Sequence, residues 1–406
     1  MKHVIIGAGA AGISAAKTIR QLQSNDEIVL ISTDDAVHSR CMLHKLISGE
    51  RNVSELSFVP DGFFTDNNIR WLSGVTVTGI DTEKKQVLFN GASESYDKLL
   101  IATGAQSVIP PIDGLRDAKN VYGLRDLPDA KVIREKANQA NNIVIIGAGL
   151  VGLDAAYGLL EMGKKSVVVE MSKTILPLNL DSYAASKYQA EFEKAGCVFH
   201  LDTKLSSVAS DSSGNVTSVT LNDKEQIPCD LLIVAVGVRP ARELLKNSGI
   251  TTDQNIIVND YLATNIADVY AAGDVAGLSK NWPNAMDQGE IAAYNMCGIP
   301  ALYKDTFDLK NTVNFFGITS LSLGQPIASA NDVEYYCDAH NKYEKIILRD
   351  GVPVGVILQG NLSHSGFWQY LIKNKINIAT IPKPPWKISF ADYYGIEKNG
   401  EYKWIV

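Results

Sequence analysis

Two nearly identical glycine-rich segments, VIIGAGAAG at residues 4–12 and VIIGAGLVG at residues 144–152, constrain the fold of this chain more than any other feature. In each, a short β-branched run ends at the first glycine, and a helix-forming sequence follows the last. The G-x-G-x-x-G spacing suits a tight turn, a close approach of the backbone to a pyrophosphate and close packing of helix on strand. The sequence therefore predicts an α/β fold with two Rossmann-like, dinucleotide-binding units.

The first unit continues with IVLIS at residues 28–32, which completes its β-α-β pattern. This strand ends in Ser32, where dinucleotide-binding folds commonly place an acid that holds a ribose, and Asp34 follows closely. Either Asp34 takes the role of that acid, or the ligand is held mainly elsewhere. The turn residues that we expect to contact the first ligand are Gly7, Gly9, Ala10, Ala11 and Gly12.

The second unit has a clearer ribose-binding residue. Glu170 ends the strand VVVE about 20 residues beyond Gly147, where a carboxylate accepts hydrogen bonds from both ribose hydroxyls and repels a 2′-phosphate. The residues that follow include Lys173 but no arginine to bind such a phosphate, so we expect NAD(H), with NADP(H) disfavoured. The predicted turn contacts are Gly147, Gly149, Leu150, Val151 and Gly152.

Length and composition argue against several other classes of protein. With 406 residues, 46% of them apolar, the chain is too long for one ordinary domain, and two or three are expected. The net charge of −7 argues against a nucleic acid or an anionic membrane as partner, since both require a basic surface. The start MKHVII lacks a signal-peptide pattern, and no apolar run approaches the roughly 20 residues of a membrane span, so we expect a soluble cytoplasmic protein.

The cysteines predict that any redox centre is a bound ligand. All five are scattered, and no C-x-x-C pair occurs, which argues against an iron–sulfur cluster, a structural zinc site or a disulfide framework. We therefore predict no metal site. The cysteines are Cys41, Cys197, Cys229, Cys297 and Cys337.

Three further segments accompany the two turns. YDKLLIATGA at 96–105 and CDLLIVAVGVRP at 229–240 each lead a hydrophobic strand into a small-residue turn, and VYAAGDV at 269–275 places a carboxylate after such a strand. That carboxylate, Asp274, either accepts from a sugar hydroxyl or caps the next element. The candidate ligand contacts in these segments are Ala102, Thr103, Gly104, Gly237, Gly273 and Asp274.

In this order, VIIGAGAAG, YDKLLIATGA, VIIGAGLVGLDAA, LLIVAVGVRP and VYAAGDV resemble the motifs of the FAD- and NAD(P)-dependent pyridine nucleotide-disulfide oxidoreductase superfamily. HSRCMLHKLISG and WPNAMDQGEIAAYNMCG are similar to its NADH:rubredoxin reductase, nitrite reductase and carbon monoxide dehydrogenase-associated branch. The resemblance implies a glutathione reductase-like fold with two three-layer ββα domains, which bind FAD and NADH, and a small α+β C-terminal domain. It implies a FAD domain at 1–115 and 245–310, an NAD(H) domain at 116–244 and a C-terminal domain at 311–406.

The resemblance also assigns residues beside the flavin. Lys45, shortly after Arg40, matches a family lysine that lies against the flavin, and Asp154 stands where the family has a glutamate after the second glycine turn. We therefore predict a Lys45–Asp154 ion pair at the N5 edge of the flavin; the alternative is two ordinary helix-surface charges. Arg40 and Arg125 are further predicted cofactor contacts.

Cys41 separates the alternative activities. The leading hypothesis from the resemblance is an NADH-dependent reductase that passes electrons from FAD to a separate carrier such as rubredoxin or ferredoxin, because the paired cysteines of disulfide reductases are missing. Cys41 falls where NADH oxidases, NADH peroxidases and coenzyme A disulfide reductases keep a redox cysteine, and Arg40 beside it would lower its pKa. A third hypothesis is a flavoprotein that senses NADH with little turnover.

The last hundred residues predict a separate unit. NFFGITSLSLG, VEYYCD and KIILRDGVPVGVILQGN are typical of antiparallel strands with an Asp-Gly turn, and HSGFWQYLIKNKINI of a helix. The resemblance implies subunit contacts here, so we expect a homodimer through this domain. From Gly366 to Val406 there are six lysines against three acids, which favours either docking of an acidic carrier or simple solubility.

Overall fold

The structure, a computed structural model, describes residues 1–279, 281–305, 307, 310–339 and 342–404. The chain forms two compact units. Unit one comprises Met1–Gly147, Val151–Val169 and Lys204–Asp308, and unit two comprises Ala148–Leu150, Glu170–Thr203 and Leu309–Val406. The domain boundaries expected from the sequence, near residues 115, 245 and 310, stay predictions.

The strands, in chain order, are β1 (Lys2–Ile6), β2 (Glu27–Ile31), β3 (Ile69–Leu72), β4 (Val77–Asp81), β5 (Gln86–Phe89), β6 (Ala92–Ser95), β7 (Lys98–Ile101), β8 (Ala105–Ser107), β9 (Val121–Tyr122), β10 (Ile143–Ile146), β11 (Ser166–Val169), β12 (Val198–His200), β13 (Leu205–Ser210), β14 (Val216–Leu221), β15 (Glu225–Pro228), β16 (Leu231–Val234), β17 (Val238–Pro240), β18 (Val269–Ala271), β19 (Lys310–Phe315), β20 (Ile318–Gly324), β21 (Val333–Ala339), β22 (Lys342–Arg349), β23 (Val352–Gln359), β24 (Tyr394–Ile396) and β25 (Tyr402–Trp404).

The α-helices are α1 (Ala10–Leu22), α2 (Leu43–Ser48), α3 (Phe63–Asp66), α4 (Leu127–Gln139), α5 (Leu150–Glu161), α6 (Ser182–Ala195), α7 (Trp282–Met296) and α8 (Ser365–Lys373). Short 3-10 helices lie at Arg40–Met42, Ser54–Leu56, Glu243–Leu245, Pro385–Lys387 and Phe390–Tyr393. Among the described residues, no helix is long and apolar enough to cross a membrane.

Unit one begins with a parallel sheet in the order β18-β7-β1-β2-β3. Its strands are short and buried on both faces, which is why they read as continuous apolar runs such as VII and IVLI. Ile5 and its neighbours pack against α1 and α7, whereas Val4 and Ile6 pack against the antiparallel meander β4-β5-β6. This arrangement is the predicted three-layer ββα domain.

The second glycine segment builds a similar fold in unit one. Strand β10 pairs in parallel with β11 and β16, and β16 pairs with β9. The antiparallel meander β13-β14-β15 covers one face, where Val144 and Ile146 share a hydrophobic core with Val208 and Val219. The predicted second Rossmann-like fold is therefore confirmed.

Unit two contains an antiparallel sheet in the order β19-β20-β23-β22-β21. The turn at Asp350 and Gly351 joins β22 to β23, and both residues have positive φ, as the sequence Asp-Gly predicts. Helix α8 packs on β23 and buries Trp368 completely. The predicted strands and helix of a small C-terminal α+β unit are confirmed.

The contact of α1 with α7 generates a stability prediction. A Cβ added to Gly289 on α7 would lie 2.1 Å from the Ala11 carbonyl oxygen, so the two helices need glycine there. We expect Gly289→Ala to lower the free energy of unfolding by about 1–3 kcal/mol through overpacking. Gly366→Ala on α8, where a Cβ meets nothing within 4 Å, is the matched control and should raise that free energy by about 0.5–1 kcal/mol. Urea denaturation measures both, and equal shifts would contradict the packing argument.

Candidate functional site

A cavity of about 560 Å³ in unit one opens at the carboxyl ends of the first parallel sheet. Strands β1, β2, β7 and β18 all end at this edge, so the short turns that follow them converge there. Most of the residues predicted to contact the first ligand line the cavity. They are Gly7, Gly9, Ala10, Ala11, Ser32, Asp34, Arg40, Cys41, Ala102, Thr103, Gly104, Arg125, Gly273 and Asp274. Gly12 and Lys45 are not among the lining residues.

The glycines of the first turn have the spaces that a pyrophosphate site requires. Gly7 has φ +111°, and a Cβ on it would lie 2.2 Å from the Ala102 carbonyl oxygen. A Cβ on Gly12 would lie 1.9 Å from the Gly7 carbonyl oxygen, whereas a Cβ on Gly9 would meet nothing within 4 Å. Two glycines therefore allow close backbone packing, and the third faces open space where a phosphate can approach. Gly12 does not line the cavity but lets α1 pack closely against the Gly7 turn.

The start of α1 is suited to an anion. Gly9 is its N-cap, and within the described residues neither a side-chain cap nor an acid occupies its first turn. The first amides of the helix are therefore open to a ligand, and the helix dipole favours negative charge at this end. A dinucleotide such as FAD fits this part of the cavity.

Two arginine–carboxylate pairs line the cavity. The Nη2 atom of Arg125 lies 2.5 Å from Oδ2 of Asp274, and Arg40 donates to Asp34 at 3.2 Å. Arg40 also donates to the Arg125 carbonyl oxygen at 2.8 Å, and this bond links the two pairs. Asp274 thus lines the cavity and binds an arginine from a distant part of unit one, and its role as a ligand contact stays a prediction.

Ser32 and Asp34 have different environments. The Ser32 hydroxyl accepts a hydrogen bond from the Trp71 indole at 2.9 Å and donates to the Asp34 carbonyl oxygen at 2.9 Å. The Asp34 carboxylate lines the cavity and pairs with Arg40. Of these two, Asp34 therefore has the free acceptor capacity for a ribose hydroxyl.

The predicted ion pair between Lys45 and Asp154 is wrong. Lys45 forms its ion pair with Glu50, which follows it closely in sequence, while Asp154 faces His44, with Oδ1 lying 3.6 Å from Nδ1. Lys45 is nevertheless near enough to oppose the rise in the pKa of Asp154. Asp154 also contributes to the raised pKa of the Cys41 thiol, and Cys41 lines the cavity.

Burial sets the protonation of this cluster. It raises the pKa of Asp154 to about 7 and lowers the pKa of His44 to about 4, with Lys45 adding to the effect on His44. The pKa of the Cys41 thiol is raised by burial and by Asp154, although the residue is partly open to solvent. The alternative in which Arg40 activates Cys41 by lowering its pKa is therefore wrong, because burial and Asp154 raise that pKa.

The second glycine turn repeats the geometry of the first. A Cβ on Gly147 would lie 2.5 Å from the Ala235 carbonyl oxygen, and one on Gly152 would lie 1.9 Å from the Gly147 carbonyl oxygen. A Cβ on Gly149 would meet nothing within 4 Å, so this turn also has a space for phosphate. Leu150 and Val151 begin α5, and Gly237 follows β16 with φ +125°.

Glu170 is held in place within unit two. One carboxylate oxygen accepts from the Ala148 amide at 2.8 Å, and the other accepts from the Ser172 amide at 2.8 Å. These bonds orient a charged acceptor, and each oxygen keeps a second lone pair for a hydroxyl. The geometry suits the predicted ribose contact.

Several further residues line the cavity that were not predicted from the sequence. Trp282 and Asn281 come from the start of α7, and Thr76 comes from the segment before β4. Asp126 and Asp129 come from the start of α4, and burial together with Asp126 raises the pKa of Asp129 to about 6. Trp282 is the first residue of the segment WPNAMDQGEIAAYNMCG. The resemblance of this segment to the family could have predicted that Trp282 lies at the site.

Comparison with protein families matches most of the chain. Residues 1–289 match the family described as pyridine nucleotide-disulphide oxidoreductase, and residues 310–376 match the rubredoxin NAD+ reductase C-terminal domain. The chain is 29% identical to a nitrite reductase [NAD(P)H] of Bacillus subtilis, with 94% of this chain and 48% of that protein covered. It is 31% identical to a rubredoxin-NAD(+) reductase of Pseudomonas putida, with 73% and 80% covered.

A solved structure is similar over almost its whole length. The ferredoxin reductase from Rhodopseudomonas palustris superposes with a TM-score of 0.83 at 25% identity, covering 93% of this chain and 95% of that chain. By contrast, this chain spans about half the length of the Bacillus subtilis nitrite reductase.

The raised pKa of Asp154 predicts a pH-dependent cost in stability. Its folded pKa of about 7 exceeds the value of about 3.9 for an unfolded aspartate. The contribution of Asp154 to the free energy of unfolding is therefore most favourable below about pH 4 and is lost as the pH rises through 7. Asp154→Asn removes the ionisation, and we expect it to raise the melting temperature more at pH 8 than at pH 5.

Asp26→Asn is the control of opposite sign. Despite burial, hydrogen bonds from the Met1 amino group and from His3 lower the pKa of Asp26, so its ionised form stabilises the fold. This variant should melt at a lower temperature at pH 8. Thermal melts followed by circular dichroism measure both effects; a pH-independent shift for Asp154→Asn would contradict the assigned protonation.

Proposed function

The chain belongs to the pyridine nucleotide-disulphide oxidoreductase family, and we propose that it passes electrons from NADH through FAD to a separate small redox protein. The observation that carries this proposal is the cavity at the first glycine turn, which has a phosphate space, a helix N-terminus and a carboxylate for sugar hydroxyls. Cys41, the thiol that lines the cavity within the described residues, has a raised pKa, which does not favour the reactive thiolate. We therefore propose that the electrons leave the chain for a separate acceptor.

FAD is the cofactor of the first site. We assign its pyrophosphate to the Gly9 space and the start of α1, and its sugar-type hydroxyls to Asp274 and Asp34. When bound, a flavin accepts a hydride from a nicotinamide and releases the two electrons singly. The Arg40 and Arg125 ion pairs orient both carboxylates, as hydroxyl recognition requires.

NAD(H) is assigned to the second turn. The Gly149 space accepts the pyrophosphate, and Glu170 accepts from the ribose hydroxyls. Because Glu170 is charged and held by two amides, it repels a 2′-phosphate and favours NADH over NADPH. By the family resemblance, Lys45 and Asp154 are proposed to lie beside the reacting rings. They would act there separately, because they do not form an ion pair with each other.

A small iron–sulfur protein of the rubredoxin or ferredoxin type is the proposed acceptor. The match of residues 310–376 to a rubredoxin NAD+ reductase domain supports this assignment. In the C-terminal segment Lys383 pairs with Asp392 and Lys403 with Glu397, which leaves a positive excess suited to an acidic carrier. A homodimer through the C-terminal region and a cytoplasmic location remain predictions.

The test is an anaerobic NADH titration of the purified protein, followed by mixing with rubredoxin and ferredoxin. We expect a yellow protein that is bleached by NADH and reoxidised by a carrier. Cys41→Ser should retain at least half of the carrier reduction, as should the control Cys337→Ser, whose thiol lies on β21 outside the cavity. A colourless chain, or a flavin that stays oxidised with NADH and NADPH, would overturn the proposal.

Two other outcomes identify the alternatives. Loss of turnover in Cys41→Ser alone would assign thiol-dependent oxidase, peroxidase or coenzyme A disulfide reductase chemistry. A long-lived reduced complex that no carrier reoxidises would assign NADH sensing.

Glu170 should control the choice of nucleotide. Glu170→Ala removes both the ribose acceptor and the charge that repels a 2′-phosphate, so we expect the ratio of kcat/KM for NADH over NADPH to fall about tenfold or more. Glu191→Ala on α6, an exposed acid paired with Lys194, is the control and should keep the ratio. Steady-state kinetics with both nucleotides measures this; an unchanged ratio for Glu170→Ala would remove Glu170 from nucleotide recognition.

A further inference from the structure

The proposed reaction leaves one proton to be removed in every turnover. NADH gives up a hydride, which amounts to two electrons and one proton, and becomes NAD+. Two one-electron carriers take the two electrons and no proton. The remaining proton is released within the site and needs an acceptor with access to solvent. A side chain that reaches both the site and solvent can take this proton and pass it to water.

Asp154 and His44 form a pair that is sheltered and still reaches solvent. Oδ1 of Asp154 lies 3.6 Å from Nδ1 of His44, too far for a settled hydrogen bond, and within the described residues this ring nitrogen is buried with no hydrogen-bond partner. His44 is 13% exposed and Asp154 29% exposed, so the carboxylate is sheltered yet reaches solvent. Asp154 also interacts with Cys41, which lines the cavity.

We propose that Asp154 accepts the proton released from each NADH and that His44 positions its carboxylate and helps return the proton to solvent. This inference rests on the proposed function. The proton that the hydride carried would stay on the reduced flavin until its two electrons leave, and would then pass to a carboxylate oxygen of Asp154. The Asp154 carboxylate becomes a carboxylic acid and then loses the same proton to water. No further oxidant or reductant is needed.

The charges around the pair support this role. Three charged residues on α2 and just after it, Lys45, Glu50 and Arg51, affect the pKa of His44. Arg134 on α4 donates a hydrogen bond to the Leu46 carbonyl oxygen on α2. Tyr157 and Glu161 lie on α5 with Asp154, and Asp154 raises the pKa of the Cys41 thiol, which lines the cavity.

Burial and the charge of Lys45 together give Asp154 a pKa at which it exchanges a proton near neutral pH. Burial raises its pKa to about 7, and Lys45 opposes that rise. Burial lowers the pKa of His44 to about 4, so the imidazole is neutral and holds both an N–H donor and an acceptor. A carboxylate with a pKa near the working pH is an efficient proton acceptor.

A second His–Asp pair in the chain provides the control. His3 and Asp26 lie 2.8 Å apart near the amino-terminal edge of the first sheet, and neither lines the cavity. That pair has hydrogen-bond geometry, and His3 is completely buried, as expected of a structural role. Asp26→Asn therefore alters a similar pair away from the cavity.

The experiment compares the holoproteins of the wild type, Asp154→Asn, Asp154→Glu, His44→Gln and Asp26→Asn. Infrared difference spectra between pH 5 and 8 follow the C=O stretch of protonated carboxyl groups, and stopped-flow absorbance separates flavin reduction by NADH from its reoxidation by a carrier. We expect a carboxyl band with a midpoint near pH 7 in the wild type, which is missing in Asp154→Asn and displaced in His44→Gln.

Reoxidation by the carrier should be faster at higher pH, because only ionised Asp154 accepts a proton. Asp154→Asn should slow reoxidation by about 100-fold and lose this pH dependence, and Asp154→Glu should restore both. Asp26→Asn should match the wild type in reoxidation. An infrared spectrum without a carboxyl band that depends on Asp154, or unaltered reoxidation in Asp154→Asn, would overturn the inference.

Flavin content and its reduction by NADH distinguish failure of the inference from failure of the proposed function. If the wild type binds flavin and is reduced by NADH while reoxidation is indifferent to Asp154, the inference fails and the proposed function stands. If flavin is absent or is not reduced, the proposed function fails and the inference fails with it.

Discussion

The close packing of helix on strand at the two glycine turns is the constraint on which the rest of the structure depends. At the first turn the Gly7 backbone rests against the Ala102 carbonyl oxygen, and Gly12 rests against Gly7, leaving no room for a Cβ at either contact. Helix α1 therefore starts directly behind β1 and directs its first amides into the cavity. The same packing recurs at Gly147 and Gly152, and at each turn the middle glycine faces open space.

Parallel pairing turns this local geometry into a site. The strands that flank β1 end at the same edge, and their short turns supply Thr103, Gly273 and Asp274 to a cavity that begins at Gly9. Arginines 40 and 125 then neutralise the carboxylates gathered there. Without these pairs, several like charges would face one another in a sheltered cavity at a high electrostatic cost.

Burial also sets the protonation of Asp154 and His44. Lys45 pairs with Glu50 because the two are close along the chain and both reach the surface, where an ion pair forms with little desolvation. Asp154 lies on another helix and is left with a neutral histidine, so burial raises its pKa. A charge pair that the family pattern suggested is thus replaced by a protonatable acid. This difference sets the electrostatics beside the cavity.

The sequence by itself determined both glycine turns, the parallel sheets built on them and most of the lining of the first cavity, because these depend on local spacing and on where each strand ends. It also identified the Asp350–Gly351 turn and the strand-forming segments of the antiparallel sheet of unit two. Only the tertiary structure decided that Lys45 binds Glu50, that His44 faces Asp154 and that Trp282 closes a wall of the cavity. These contacts join residues distant in sequence or choose between competing partners, and protonation depends on burial, which residue order does not encode locally.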